Sequence, residues 1–156
     1  MELKVGIKGQ TEVEVVFENT AAAVGSGAME VFSTPSMIAL MEKAAMESVM
    51  LCLDEGQTTV GVRLEVSHLA ATPLGMTVRA ESELLSIEKR MLHFKVAAYA
   101  GDELVGEGTH IRCIVDAERF MAKTLAKKLY KQSRIFHKIR LCFQSVYQKP
   151  DFKALT

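Results

Sequence analysis

The sequence predicts an α+β protein in which one curved antiparallel sheet wraps one buried helix. Three observations lead there. An alternating segment opens the chain, one long apolar helical stretch follows, and four alternating segments joined by short turns complete the body. An antiparallel sheet with one apolar face needs a covering layer, and the long helix is the element able to provide it. With 156 residues, about half of them apolar, the chain has enough material for one domain with a real core.

The first strand is expected over Thr11 to Glu18, where Val13, Val15 and Phe17 face one way and the glutamates largely the other. Thr20 to Ala28 is rich in Ala and Gly and reads as a flexible loop. The central helix is expected from Ser33 to Leu53. Thr34 fits its N-cap and Pro35 its first position, where a missing N–H costs nothing. A turn at Asp54-Glu55-Gly56 leads into a strand from Thr58 to His68, with Val60, Val62, Leu64 and Val66 on one face. Thr72-Pro73-Leu74-Gly75 suits a turn. The strand from Met76 to Ile87 then turns Met76, Val78 and Ala80 inward. Glu88-Lys89-Arg90 reverses the chain into Met91 to Ala100, where Leu92, Phe94, Val96 and Ala98 share a face and His93 lies opposite. Gly101-Asp102 closes a hairpin into the last strand, Glu103 to Val115. Strands joined in this way should form an antiparallel meander.

Charge divides the chain. Residues 1–119 hold 10 basic and 18 acidic side chains, net −8, and residues 120–156 hold 9 basic and 1 acidic, net +8. The expected organisation is therefore a domain over 1–119 and a basic, helical extension over 120–156. That extension matches no nucleic-acid motif, so it reads first as a segment packing on the acidic body or on a neighbouring subunit, with a nucleic-acid or anionic-membrane patch as the lesser alternative. Cys52, Cys113 and Cys142 are odd in number and far apart, as in reduced thiols. No signal peptide or membrane span is visible, so the expected compartment is the cytoplasm.

Glu42 is the unusual residue of the helix. Its face neighbours are Ile38, Ala45, Met46 and Val49, and a carboxylate there is costly unless partnered. Glu47, by contrast, has Lys43 one turn before it, as on a solvated face. His68, after the helix, is a candidate partner for Glu42. Taken alone, Thr34 reads as a cap, Glu42 as a reactive carboxylate or one paired with an Arg, and His68 as a core histidine. His110 is the weaker histidine, and Arg112 suits a pair with a carboxylate. Met37, Met41, Met46 and Met50 read as core filler. No His-x-x-x-His or Cys-x-x-Cys spacing, nucleophile elbow or phosphate loop occurs, so no metal or cofactor is implied.

The spacing Thr34, Glu42, Gly61, Ser67-His68-x-Ala-Ala-Thr-Pro-x-Gly75 and Val105-Gly-Glu-Gly-Thr-His110-x-Arg112 resembles the fluoroacetyl-CoA thioesterase family of hotdog-fold acyl-CoA thioesterases. The resemblance covers about residues 10–125. It implies the hotdog fold, a homodimer or larger assembly with sites where subunits meet, and hydrolysis of an acyl-CoA thioester. It implies catalytic roles for Thr34, Glu42 and His68 and an acyl-site role for Gly61. Ile38 and Met46, beside Glu42 on the helix, are the expected acyl-lining side chains. Glu42 either activates a water or attacks directly to give a mixed anhydride, and His68 orients the water or shuttles a proton. Backbone N–H groups near Gly61 or at the helix N-terminus suit the oxyanion.

The segment Ala21–Ala28 lacks the aromatic lid residues of the fluoroacetyl-specific enzyme. The expected substrate is therefore a short or small branched acyl-CoA without special preference for fluoroacetyl. The competing reading is a hotdog module that binds acyl-CoA without hydrolysing it.

Overall fold

The structure is a computed structural model that describes residues 2–128. Its sheet has five strands: β1 (Lys8–Glu14), β2 (Gln57–His68), β3 (Thr77–Glu88), β4 (Met91–Ala100) and β5 (Glu103–Asp116). Two helices lie between the first two strands, the short α1 (Ala21–Val24) and the long α2 (Thr34–Met50). The strand order is β1-β3-β4-β5-β2, and β3 pairs antiparallel with β1 and β4, as β4 does with β5.

This order corrects the expected meander. β3–β4 and β4–β5 are hairpins, but β2 lies at the far edge beside β5. The segment from Leu69 to Met76 is thus a connection, not a tight turn between sheet neighbours. Backbone bonds tie it down, from Leu69 N–H to the Val105 carbonyl, from Phe32 N–H to the Thr72 carbonyl and from Gly75 N–H to the Val15 carbonyl. β1 also starts and ends earlier than its pattern suggests. The chain leaves the sheet after Glu14, Val15 stays buried, and Phe17 opens a short 3-10 turn, Phe17–Asn19, with its side chain exposed. The segment read as a flexible loop contains α1, capped by Thr20 and ended by Gly25 at φ +75°.

The core is the apolar face of α2 laid on the inner face of the sheet. Met37, Leu40, Met41, Ala44, Ala45 and Val49 are buried on the helix, at the spacing of one helical face. They meet Val78, Ala80 and Leu84 of β3, Leu92, Phe94, Val96 and Ala98 of β4, and Val105 and Ile114 of β5. Each large side chain so buried contributes about 1.5–3 kcal/mol from removed apolar area. The alternation read in β4 holds at all four positions. In β3 it holds for Val78 and Ala80, but Met76 sits before the strand and is exposed. Of the helix methionines, Met37 and Met41 are core, Met46 is half-buried and Met50 is exposed. β2 is an edge strand and keeps Val62 open to solvent.

After β5, residues 117–128 are helical, and Asp116 caps that helix by accepting the Arg119 N–H at 2.7 Å. The remainder of the expected basic extension, with Cys142, lies outside the described residues. Cys52 and Cys113 are free thiols. Among the described residues no helix is long and apolar enough to cross a membrane.

Candidate active site

The N-terminus of α2 sets the first half of the site. Ser33, not Thr34, is the N-cap: it is extended, and its Oγ accepts the Ser36 N–H at 3.1 Å. Thr34 and Pro35 then occupy the first two helical positions. Pro35 loses nothing there, because the first N–H groups of a helix have no intrahelical acceptor. The correction matters for chemistry. Relieved of capping, the Thr34 hydroxyl reaches His68 at the end of β2, with Oγ1 2.8 Å from Nδ1. Among the described residues Nε2 of the same ring is buried and has no hydrogen-bond partner.

Two turns further along α2, Glu42 stands on the edge of the buried face. Ile38 and Met46, four residues to either side, are half-buried with it, whereas Ala45 and Val49 belong to the core. The Glu42 side chain is 37% exposed. Its partner is Arg112, not His68: Nη1 of the guanidinium lies 3.4 Å from Oε2 and 3.5 Å from the Glu42 carbonyl oxygen. The apolar helix face therefore carries a matched charge, which answers the cost expected of a lone carboxylate. Lys43 and Glu47 pair at 3.8 Å on the solvated face, as their spacing suggests.

Arg112 is buried and held from several sides. Its Nε donates to Thr59 Oγ1 at 2.8 Å and its Nη2 to the Thr59 carbonyl at 2.9 Å. Nη1 also meets Nε2 of His110 at 3.0 Å. His110 is fully buried, and its Nδ1 lies 3.0 Å from the Arg63 carbonyl oxygen. The carbonyl only accepts and the guanidinium only donates, so Nδ1 carries the proton and Nε2 accepts. Burial holds the His110 pKa below the ordinary 6.5, with the Arg112 charge acting in the same direction and the Arg63 bond and Glu42 opposing. Burial likewise lowers the Arg112 pKa from its ordinary value, opposed by the Glu42 charge and hydrogen bond.

Gly61 completes this half. A Cβ built there would lie 3.2 Å from Glu42 Oε2 and 3.3 Å from His110 Cε1. The bare glycine leaves a cleft of about 230 Å³ lined by Glu42, Gly61, Val62, Arg63 and Leu64. The candidate residues thus fall into two groups in one chain. Thr34 and His68 form one pair, and Glu42, Gly61, Arg112, His110 and Thr59 form the other. Among the described residues no hydrogen bond joins the two.

Sequence reading missed Ser33 as the cap and Thr59 as the anchor of Arg112, and it ranked His110 below His68. A signal was available. β5 alternates with period two, so His110 and Arg112 share the inward face with Ile114. Two polar side chains on the covered face of a strand require partners, and Glu42 is the carboxylate of the helix laid on that face.

Comparison with known proteins agrees with this architecture. Residues 15–118 match the family described as fluoroacetyl-CoA-specific thioesterase. The fluoroacetyl-CoA thioesterase of Streptantibioticus cattleyicolor is 41% identical over 98 residues, covering 63% of this chain and 70% of that protein. A solved structure of a fluoroacetyl-CoA thioesterase is similar with a TM-score of 0.76 at 33% identity, covering 81% of this chain and 98% of the other. A thioesterase superfamily member from Thermus thermophilus is similar with a TM-score of 0.73 at 25% identity, covering 85% of this chain and 96% of the other. The sheet wrapped on α2 is the hotdog fold, and the chain belongs to the fluoroacetyl-CoA-specific thioesterase family of thioester hydrolases.

Proposed function

We propose that this protein hydrolyses a short or small branched acyl-CoA to the free acid and CoA. Glu42 is the reacting carboxylate, and Thr34 and His68 are the pair that manages the proton. The observation that carries this reading is the carboxylate oxygen standing over the bare backbone of Gly61 at the mouth of a cleft. A thioester carbonyl approaching there meets a base or nucleophile in Glu42, and backbone N–H groups near Gly61 are the oxyanion donors of this reading. In the water-activated route Glu42 takes a proton from water as the oxygen attacks the carbonyl carbon. The oxyanion then collapses, the C–S bond breaks, and the CoA thiolate is protonated. In the covalent route the carboxylate oxygen attacks, the C–S bond breaks, and water hydrolyses the anhydride. In either route Thr34 fixes the His68 ring through Nδ1, which leaves Nε2 to move the proton.

The acyl group is small in this reading because Ile38 and Met46 flank Glu42 and the cleft holds only about 230 Å³. α1 and the residues after it, Ala21–Ala28, carry no aromatic side chain to close on a fluorinated carbon. A related fluoroacetyl-CoA-specific thioesterase has been crystallised with fluoroacetate and CoA; the acyl-CoA class comes to this protein from that kinship, and the fluoroacetyl preference does not.

The working enzyme is a homodimer in this reading. Thr34 and Glu42 are eight residues apart on α2, about 12 Å of helical rise, beyond the hydrogen-bond reach of one small acyl group. β2 is an open edge bearing both Gly61 and His68. A second copy pairing across a two-fold axis covers that edge and sets the Thr34–His68 pair of one subunit near Glu42 of the other.

The test is release of CoA thiol from a panel of acyl-CoAs from acetyl upward. Turnover is expected with the short and small branched members. Binding of CoA esters without thiol release from any of them would leave the non-catalytic module instead.

A further inference from the structure

We propose that His110 is a positioning residue for Glu42: its neutral ring accepts an N–H from Arg112 and so turns the same guanidinium nitrogen toward the Glu42 carboxylate. This rests on the reading of Glu42 as the reacting group.

The argument begins with the hydrogens of Arg112. Nε and Nη2 are committed to Thr59, at 2.8 and 2.9 Å. Nη2 keeps one further N–H, and Nη1 has two to place. One goes to His110 Nε2 at 3.0 Å, and the other faces Glu42, at 3.4 Å to Oε2 and 3.5 Å to the carbonyl. A guanidinium whose purpose is a structural ion pair usually meets its carboxylate in two short parallel bonds. Here the short bonds go to Thr59 and His110, and the carboxylate has the long one. The cation is anchored by groups that take no part in the reaction. It therefore stays in place when Glu42 loses its charge, by taking a proton or by forming an anhydride.

His110 performs this task only as the Nδ1–H tautomer. The Arg63 carbonyl of β2 accepts the Nδ1 proton, which leaves the Nε2 lone pair facing Arg112 of β5. Glu42 of α2 faces the same cluster, and the Phe94 ring of β4 lies 6.5 Å away, centroid to centroid. A protonated ring has no lone pair at Nε2 and sets two cations side by side. Burial works against that form, and so does the Arg112 charge. Glutamine places an amide oxygen where Nε2 sits, whereas leucine fills the space without an acceptor.

The experiment combines ring-nitrogen NMR of His110 in the full chain with steady-state kinetics of His110→Leu and His110→Gln on the best acyl-CoA of the panel. The ring is expected as the neutral Nδ1–H tautomer near neutral pH. His110→Leu should lower kcat about tenfold to a hundredfold, the scale of a misplaced reacting group, with KM within about threefold. His110→Gln should recover kcat to within about fivefold of wild type, as an acceptor at the same place retains the positioning. A charged ring, an Nε2–H tautomer, or wild-type kcat in a folded His110→Leu protein overturns the proposal. Equal impairment of the Gln and Leu proteins, both folded, also overturns it. If the wild type releases no thiol from any acyl-CoA, the thioesterase reading fails with it, and the NMR still decides whether His110 holds Arg112.

Discussion

The hydroxyl of Thr34 lies 2.8 Å from Nδ1 of His68, and the helix cap beside it belongs to Ser33. Adjacent residues at one helix end thus divide stability from chemistry. Thr34→Ala should lower kcat about fivefold, as the loss of one hydrogen bond of roughly 1 kcal/mol suggests, and leave the thermal midpoint nearly unchanged. Ser33→Ala should cost about 1 kcal/mol of stability, the usual cost of removing a capping hydroxyl, at little loss of kcat. Thermal melts and kinetics on the two proteins check the division. A reversed pattern would return the capping role to Thr34.

Glu42→Gln keeps the shape of the carboxylate and removes its charge. Turnover should fall by about a hundredfold to ten-thousandfold, the range of a lost general base, while circular dichroism stays that of the wild type. Unchanged turnover in a folded Glu42→Gln protein would take Glu42 out of the mechanism.

Gly61→Ala places a methyl 3.2 Å from Glu42 Oε2 and 3.3 Å from His110 Cε1. Those contacts are tight but not impossible, and Gly61 is not among the positive-φ glycines, so the fold should survive. The reacting face should not: kcat/KM is expected to drop by about tenfold or more, as a small misplacement of the reacting groups suggests. Kinetics alongside a thermal melt separate the two effects. Full activity would show that the acyl group does not pass over Gly61.

The buried His110 also predicts an acid response of stability. Its folded pKa lies below the unfolded value of 6.5. At high pH the ring is neutral in both states and has no effect. As pH falls through 6.5 the unfolded chain takes up the proton first, so stability is lost progressively until the folded pKa is passed. His110→Gln removes this contribution. Denaturant melts below 6.5 should therefore show a shallower acid loss for the variant than for the wild type. Parallel acid profiles would contradict the buried neutral ring.

Selectivity between fluoroacetyl-CoA and acetyl-CoA should be weak. An apolar pocket separates near-isosteres by only about 1–3 kcal/mol, and the segment Ala21–Ala28 has no aromatic side chain. The ratio of kcat/KM for the two substrates is the measurement. A preference above about a thousandfold, beyond that range, would mean that other residues, among them the exposed Val24 and Met29, serve as the lid.

What the sequence determined by itself was local and periodic. The alternation of Leu92, Phe94, Val96 and Ala98 specified a half-buried strand. The unbroken run after Pro35 specified the helix, and Lys43 and Glu47 specified its solvated face, because side-chain direction follows from backbone period alone. The motif spacing of Thr34, Glu42, Gly61 and His68 was enough to suggest the family. Only the tertiary structure decided which polar groups meet. The sheet order carries β2 past β3 and β4 to lie beside β5, a choice of partner that strand periodicity does not encode. That crossing sets Thr59 and the Arg63 carbonyl against Arg112 and His110, and it gives Glu42 a cation where the sequence offered His68. The choice of Ser33 over Thr34 as cap was equally invisible, since both residues suit the position and Pro35 fits either register. The cap falls on Ser33 because its hydroxyl can reach the Ser36 N–H while Thr34 is drawn to a ring from a distant strand.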